Sequence, residues 1–228
     1  MIVAVDTGYH WNWNILFSHE VLILIGTGLK YTIMVAGLSL VFGTILGLSV
    51  ALIRMSHKPV ISQVAYIYTD FFRTTPALVQ LIWIFYALPI LTPVSLSPVL
   101  SGVLALSLNC GAFLSEIFRS GLESIERGQR DASFVLGLSR IQTFRHIVLP
   151  QAFRRVLPPT ANVFISLIKD SSLLSVIAVP ELLYQSQVLA TNTFRPLEIY
   201  TGLAVLYFCI TYPLSLATSA IERQFRIA

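Results

Sequence analysis

The sequence predicts an all-helical membrane protein, a single domain over residues 1–228 that crosses the bilayer five times. Only 11% of its 228 residues are Asp, Glu, Lys or Arg, whereas about 25% are charged in an ordinary soluble domain. Mean hydropathy is +0.76, and uncharged apolar runs of the length that crosses the hydrocarbon core recur along the chain. These observations exclude a soluble globular domain.

Charged residues and prolines mark the ends of the predicted spans. The first apolar run stops at Arg54 and the last stops before Glu222. No charged residue lies between Arg73 and Glu116, which is too long for one crossing, and prolines among small polar residues divide this run in two. The predicted spans are residues 24–53, 61–88, 98–118, 158–179 and 199–220.

The distribution of Lys and Arg predicts the orientation of the spans. Basic loops are retained in the cytoplasm, and the segments after spans one, three and five are basic. The loops on the opposite side contain Glu20, Glu181 and Glu198. Their only basic residue is Arg195. We therefore expect the N-terminus outside, the C-terminus in the cytoplasm, and residues 120–157 as a cytoplasmic loop.

The first half of this loop predicts a short helix over residues 129–136. Ala132, Val135 and Leu136 recur at helical spacing, and Gly137 follows where a left-handed C-terminal cap is expected. A helix of about two turns is not stable alone in water, so we expect it to pack against another surface. Periodicity alone leaves open whether that surface is lipid headgroups or protein.

The second half of the loop predicts another helix. Ser139 is followed three residues later by Gln142, which is the pattern of a capping box, and Pro150 is expected to end the helix. Span four would then begin separately near Pro158.

Motifs in a fixed order carry a family resemblance. They are 72–80 (FRTTPALVQ), 116–122 (EIFRSGL), 128–133 (GQRDAS), 136–139 (LGLS), 142–145 (QTFR), 147–152 (IVLPQA) and 168–173 (IKDSSL). The stretch 128–152 closely resembles the EAA loop of ABC importer permeases, in the branch that imports polar amino acids and opines. Asp131 stands where that family usually has glutamate, and Ser133 where it usually has the second alanine.

The resemblance implies a coupling helix that enters a groove on a separate ATPase subunit. It also implies an ATP-binding cassette dimer that holds ATP and Mg, a second permease subunit, identical or related, an extracytoplasmic substrate-binding protein, and a bacterial inner membrane. The substrate would be a polar amino acid. The residues assigned to coupling by this resemblance are Gln129, Arg130, Asp131, Ala132, Ser133, Leu136, Gly137 and Ser139.

Polar side chains inside the spans are the candidates for the substrate pathway. Lys169 and Asp170 are predicted near the middle of span four, where an unpaired charge costs at least about 2.5 kcal/mol. They either line the pathway or pair with neighbouring helices, for example Lys169 with Glu116. Gln80 and Asn109 also need hydrogen-bond partners in hydrocarbon. The pathway candidates are thus Lys169, Asp170, Glu116, Gln80 and Asn109.

No enzyme activity is expected from this chain. It has no Gly-x-x-x-x-Gly-Lys-Ser/Thr phosphate loop, so ATP hydrolysis would belong to a partner. We predict no metal site, no catalytic residue, no cofactor and no nucleic-acid partner; membrane lipid surrounds the spans. The alternatives are an ATP-independent channel or secondary carrier for a small polar solute, which leaves the two-helix loop unexplained, and a membrane adaptor, which leaves Lys169 and Asp170 unexplained.

Overall fold

The structure is a computed structural model that describes residues 9–56 and 58–225, and for Arg130 and Phe225 it describes the backbone alone. A 3-10 turn at Trp13–Phe17 precedes the helices of this part of the chain. They are α1 (His19–Arg54), α2 (Pro59–Thr74), α3 (Ala77–Leu91), α4 (Pro98–Glu123), α5 (Arg127–Val135), α6 (Arg140–Ile177), α7 (Leu182–Thr193) and α8 (Pro196–Phe225).

Four of the described helices, α1, α4, α6 and α8, are long and apolar enough to cross a membrane. The pair α2 and α3 adds a fifth crossing if the two are counted as one broken span. The chain is therefore an all-helical membrane protein with four or five candidate spans. Helix α1 has 36 residues, so it is about 54 Å long and exceeds the hydrocarbon thickness.

The second predicted span, 61–88, is not one straight helix. It is divided between α2 and α3, which are bent by 107° at Thr75 and Pro76. Proline has no N–H and disfavours helical backbone in the residue before it. Thr75 accordingly has φ −90° and ψ 143°, which is extended backbone. The apolar run concealed this break, because hydropathy does not register one proline.

The prediction that Pro150 ends a separate helix is wrong. Helix α6 runs without interruption from Arg140 to Ile177, so the second loop helix and span four are one element. A π turn at Phe144–Val148 widens the helix just before Pro150, and the Leu149 N–H bonds the Phe144 carbonyl five residues back. A wider turn accommodates a proline that a regular α-helical turn would exclude.

Close contact between α1 and α4 depends on two glycines of α1. A Cβ on Gly43 would lie 2.8 Å from Cys110 Sγ, and one on Gly47 would lie 2.9 Å from the Gly111 carbonyl oxygen. Either side chain would push the helices apart. The Gly-x-x-x-Gly spacing thus serves helix packing, as small residues commonly do in membrane proteins.

Helix α4 lies at the centre of the helical bundle. Its Leu106 and Leu114 belong to a buried core completed by Leu81 of α3 and by Ile168 and Leu174 of α6. Helix α8 is peripheral, because only 6% of the residues in its most apolar 18-residue stretch are buried. Its remaining surface is available to lipid or to another protein.

Candidate functional site

The turn after α5 is fixed by its own backbone. Gly137 has φ +77°, a left-handed conformation that disfavours other residues. The Gly137 N–H bonds the Phe134 carbonyl at 3.0 Å, and the Leu138 N–H bonds the Ser133 carbonyl at 3.1 Å. These two bonds make a Schellman motif, so the predicted glycine cap is confirmed. Helix α5 itself starts two residues earlier than predicted and ends at Val135.

The start of α6 is held by the predicted capping box. The Ser139 hydroxyl accepts from the Gln142 N–H, and the Gln142 side chain accepts from the Ser139 N–H at 2.9 Å. Backbone groups at both ends of the sharp turn between α5 and α6 are therefore hydrogen-bonded by residues of the turn itself. The turn needs no partner to keep its shape.

Ser133 joins α5 to α6 and does not face outward. Its hydroxyl lies 2.8 Å from Thr143 Oγ1, and both side chains are buried. The family resemblance assigns Ser133 to the coupling surface, but its side chain points into this interface within the chain. The hydroxyl that distinguishes Ser133 from the usual alanine thus has an internal partner.

The outer surface of the α5–α6 turn is apolar and exposed. Val135, Leu136 and Ile141 are 87%, 77% and 78% exposed, which is unusual for large aliphatic side chains on a soluble surface. Gln129, Asp131 and Ala132 are exposed beside them, and the side chain of Arg130 lies outside the described residues. We call residues 127–141 the loop face. Its apolar centre with a polar margin is the anatomy of a protein interface.

Gln80 and Asn109 meet at the break between α2 and α3. Gln80 Nε2 donates to the carbonyls of Phe72 and Thr75, each at 3.0 Å, and to Thr75 Oγ1 at 2.7 Å. Asn109 Nδ2 donates to Phe72 O at 2.9 Å and to Gln80 Oε1 at 3.2 Å. The bend leaves carbonyls without helical partners, and these amides satisfy them. We call this group the amide latch.

A mostly apolar cavity of about 290 Å³ adjoins the amide latch. Phe72, Gln80, Trp83 and Leu108 are among its lining residues. The cavity is comparable in volume to a small-ligand pocket, although its polar groups are already engaged with the backbone. The latch therefore shapes a space at the helix break.

Lys169 and Asp170 lie at the end of the α-helical part of α6, not in the middle of a regular span. From Ser171 to Ile177 the helix continues as a 3-10 helix, and Ala178 then has φ 57°. Lys169 is exposed and Asp170 is half-buried. Among the described residues neither side chain forms an ion pair or a hydrogen bond. Helix packing alone thus gives no reason for these charges.

Glu116 has partners other than the Lys169 that we considered. Its carboxylate pairs with Arg54 at the end of α1 and with Arg119 one turn further along α4. Arg119 pairs in addition with Glu123. The pairing of Lys169 with Glu116, one form of the alternative to a pathway role, is not found, because the ion pairs of this carboxylate are with two arginines. The cluster ties the end of α1 to α4.

Two carboxylates that the sequence analysis treated only as loop charges are buried. Glu198 is fully buried, accepts the Tyr9 hydroxyl and the Asn12 N–H, the latter at 2.9 Å, and lies 3.5 Å from Arg195. Glu181 is also fully buried and caps α7 by accepting from the Leu183 and Tyr184 N–H groups. Glu181 could have been identified as a helix cap from its position. The partners of Glu198 are too distant in sequence.

Comparison with known proteins places this arrangement in a family. The description "Binding-protein-dependent transport system inner membrane component" matches residues 43–226. The L-cystine transport system permease protein TcyB of Bacillus subtilis is 44% identical over 202 residues, 88% of this chain and 86% of its own. The glutamine transport system permease protein GlnP of Escherichia coli is 38% identical over 201 residues, 88% of this chain and 92% of its own.

Solved structures agree with this placement. An amino acid ABC transporter described as "with histidines" superposes with a TM-score of 0.88 at 31% identity, covering 95% of this chain and 100% of that one. The inward-facing MetNI methionine ABC transporter superposes with a TM-score of 0.75, covering 92% and 100% of the two chains. At 19% identity the second match shows the fold alone.

These matches confirm the resemblance carried by the loop motifs. A subunit of this kind works within an ABC transporter complex, with ATPase and binding-protein partners, and does not hydrolyse ATP itself. The chain therefore belongs to the binding-protein-dependent transport system inner membrane components, the multi-pass permease subunits of ABC importers.

Proposed function

We propose that this chain forms half of the translocation pathway of an importer for a polar amino acid. The substrate class is supported by the relatives, which are named for L-cystine and glutamine, and by the amino acid transporter that superposes on 95% of the chain. A second permease subunit, identical or related, completes the pathway. The largely exposed surface of α8 supports this proposal, because a second subunit could cover it.

The loop face is the proposed contact with the ATPase subunit. The observation that carries this proposal is a cluster of exposed aliphatic side chains on a turn held by a Schellman motif and a capping box. A turn of fixed shape with an unburied apolar surface is suited to enter a groove without rearranging. The residues proposed for coupling are Gln129, Arg130, Asp131, Ala132, Leu136, Gly137 and Ser139, with Ser133 supporting α5 from behind.

Co-purification tests this contact. Leu136→Asp places a charge in the apolar centre of the loop face and should cut recovery of the ATPase subunit at least about tenfold, which corresponds to about 1.4 kcal/mol. Phe194→Asp is the matched control, because Phe194 is equally exposed but follows α7 instead of α5. Full recovery of the ATPase with Leu136→Asp would show that the loop face is not the contact.

Lys169 and Asp170 are the proposed pathway residues. They lie where α6 changes from α to 3-10 geometry, and interrupted helices near the membrane midplane commonly form transporter sites. Among the described residues neither forms an ion pair or a hydrogen bond, and only the charge of Lys169 acts on the adjacent Asp170. Lys169 is exposed and Asp170 half-buried, so we propose that a substrate with both a carboxylate and an ammonium group meets them. Gln80 and Asn109, which bond each other in the amide latch, and Glu116, which pairs with Arg54, are the further residues proposed for the pathway.

Transport by a reconstituted complex tests the pathway assignment. Asp170→Asn removes the charge but keeps the shape, so uptake should fall at least about tenfold while assembly with the ATPase is unchanged. Asp70→Asn is the control, since Asp70 is exposed on α2. If Asp170→Asn instead prevents assembly, Asp170 serves packing and the pathway assignment fails.

The proposed topology has five spans, with α2 and α3 as one broken crossing, the N-terminus outside and the C-terminus in the cytoplasm. The support is the Lys and Arg residues at the end of α1, in residues 120–157 and at the end of α8. In a variant without Cys110 and Cys209, a cysteine at Ser56 should react with a charged thiol reagent only from the cytoplasmic side. A cysteine at Asn192 should react only from outside, and the reverse pattern would overturn the topology.

A further inference from the structure

An apolar cavity separates α1 from α6 near the loop face. Its volume is about 470 Å³, and Leu48 and Leu52 of α1, Phe118 of α4, and Phe153 and Val156 of α6 are among its lining residues. The neighbouring residues Val41 and Ile45 on α1 are exposed and apolar as well. The cavity therefore opens onto a surface suited to hydrocarbon.

A second cavity, of about 380 Å³, continues the first toward the loop face. The two share Leu52, Leu122 and Phe144, and the second also reaches Arg140 and Phe134. The combined groove runs along α1 from Thr44 to Met55, about 16 Å at helical rise. We call it the α1–α6 groove.

The α1–α6 groove changes character along its length. The first cavity is almost entirely apolar, while Arg140, which carries a guanidinium, is among the residues that line the second. Within the described ranges this guanidinium forms no ion pair and no side-chain hydrogen bond. A basic group at the mouth of an apolar groove complements a ligand with an anionic head and a hydrocarbon tail.

We propose that the α1–α6 groove binds an anionic phospholipid of the cytoplasmic leaflet. The acyl chain lies between α1 and α6, and the headgroup phosphate pairs with Arg140. A lipid so placed contacts Phe144 at the start of α6 and Phe134 of the loop face, so it stiffens the contact between α1 and the coupling region. The assignment to the cytoplasmic leaflet rests on the topology proposed above. The groove and the charge of Arg140 do not depend on that topology.

Lipid retention by the purified complex tests this site. The complex is incubated with equal amounts of phosphatidylglycerol and phosphatidylcholine, and native mass spectrometry counts the lipids that stay bound. Wild-type protein should retain phosphatidylglycerol preferentially. Arg140→Gln should reduce that preference about fivefold, the effect of one basic residue near a lipid surface. The control Arg145→Gln removes a nearby exposed arginine that does not line the groove.

A second variant tests the apolar part of the groove. Leu48→Trp fills it and should remove both lipids, whereas Leu38→Trp, similarly exposed on α1 but outside the groove, should not. Arg140 is exposed, so the Arg140→Gln result stands even if Leu48→Trp fails to assemble.

Unchanged lipid retention with Arg140→Gln would overturn the proposal. So would loss of the ATPase subunit from that variant with lipid unchanged, because the groove mouth would then belong to the protein contact. Neither readout uses amino acid uptake, so failure of the transport assignment would not be confused with failure of the lipid site.

Discussion

The loop face and the amide latch differ in how the backbone N–H and carbonyl groups at their helix ends are hydrogen-bonded. At the loop face, the ends of α5 and α6 are capped by residues within six positions of them in sequence. At the amide latch, the carbonyl of Phe72 is bonded by Asn109, which is 37 residues away on another helix. Gln80, five and eight residues away, bonds the carbonyls of Thr75 and Phe72 as well. A helix end exposed to water can rely on local motifs, whereas this break inside the helical bundle adds a donor from a distant helix.

This difference predicts where substitutions are most damaging. Gln80→Leu removes the side-chain donor to the Thr75 carbonyl, one of the two donors to the Phe72 carbonyl and the acceptor of the Asn109 amide, and a buried polar group left without a partner costs about 1–3 kcal/mol. We expect failure to accumulate in the membrane or a strongly lowered thermal midpoint in detergent. Gln187→Leu, an exposed glutamine on α7, is the control. If the Gln80→Leu protein has normal stability, the hydrogen bonds of the amide latch are not needed to hold the helix break, and the two regions do not differ in this way.

A substitution in the loop turn should affect coupling more than accumulation. Gly137→Val forces a β-branched residue into left-handed backbone, which costs at least about 1–2 kcal/mol locally. The protein should still insert, while ATP hydrolysis by the reconstituted complex continues and uptake falls at least about tenfold. Gly128→Ala is the control, since a Cβ there meets open space. Uptake in proportion to hydrolysis would contradict a coupling role for this turn.

The link between α5 and α6 allows a finer measurement. Ser133→Ala breaks the hydrogen bond to Thr143 and should destabilise α5 by about 1 kcal/mol. Faster hydrogen exchange at residues 127–135, with the rest of the chain unchanged, is the expected signal. Thr143→Val should give the same result, and the double variant should add little. Additive effects would mean that the two hydroxyls act separately.

The smallest expected effect is at the start of α6. Gln142→Ala removes half of the capping box but leaves the Ser139 hydroxyl in place, so the cost should be about 0.5 kcal/mol. Slightly faster exchange of the Ser139 amide would be the measurable sign. A large loss of stability would show that this cap supports more than the first turn of α6.

The same distinction explains what the sequence could predict. The Gly137 turn and the Ser139 cap depend on neighbouring residues, and both were predicted correctly. The break at Pro76 is also local, yet the long apolar run concealed it. Gln80 donates to carbonyls five and eight residues away, but the chain has to bend at Thr75 and Pro76 before it can reach them. The partners of Asn109, and Tyr9 and Asn12 beside Glu198, come from distant segments, so single-sequence patterns indicated that Gln80 and Asn109 needed partners without identifying them.

The continuity of α6 has a mechanical consequence. The helix begins at Arg140 in the loop face, and its α-helical part ends at Asp170. About 45 Å of one helix therefore connects the loop face to the proposed pathway residues. Force applied at one end tilts the other as it would a lever arm, and the points along the helix where it can bend are the π turn at Phe144–Val148 and the internal Pro158 and Pro159. A tilt of about 10° about the midpoint shifts each end by about 4 Å, which is comparable to the width of a side chain.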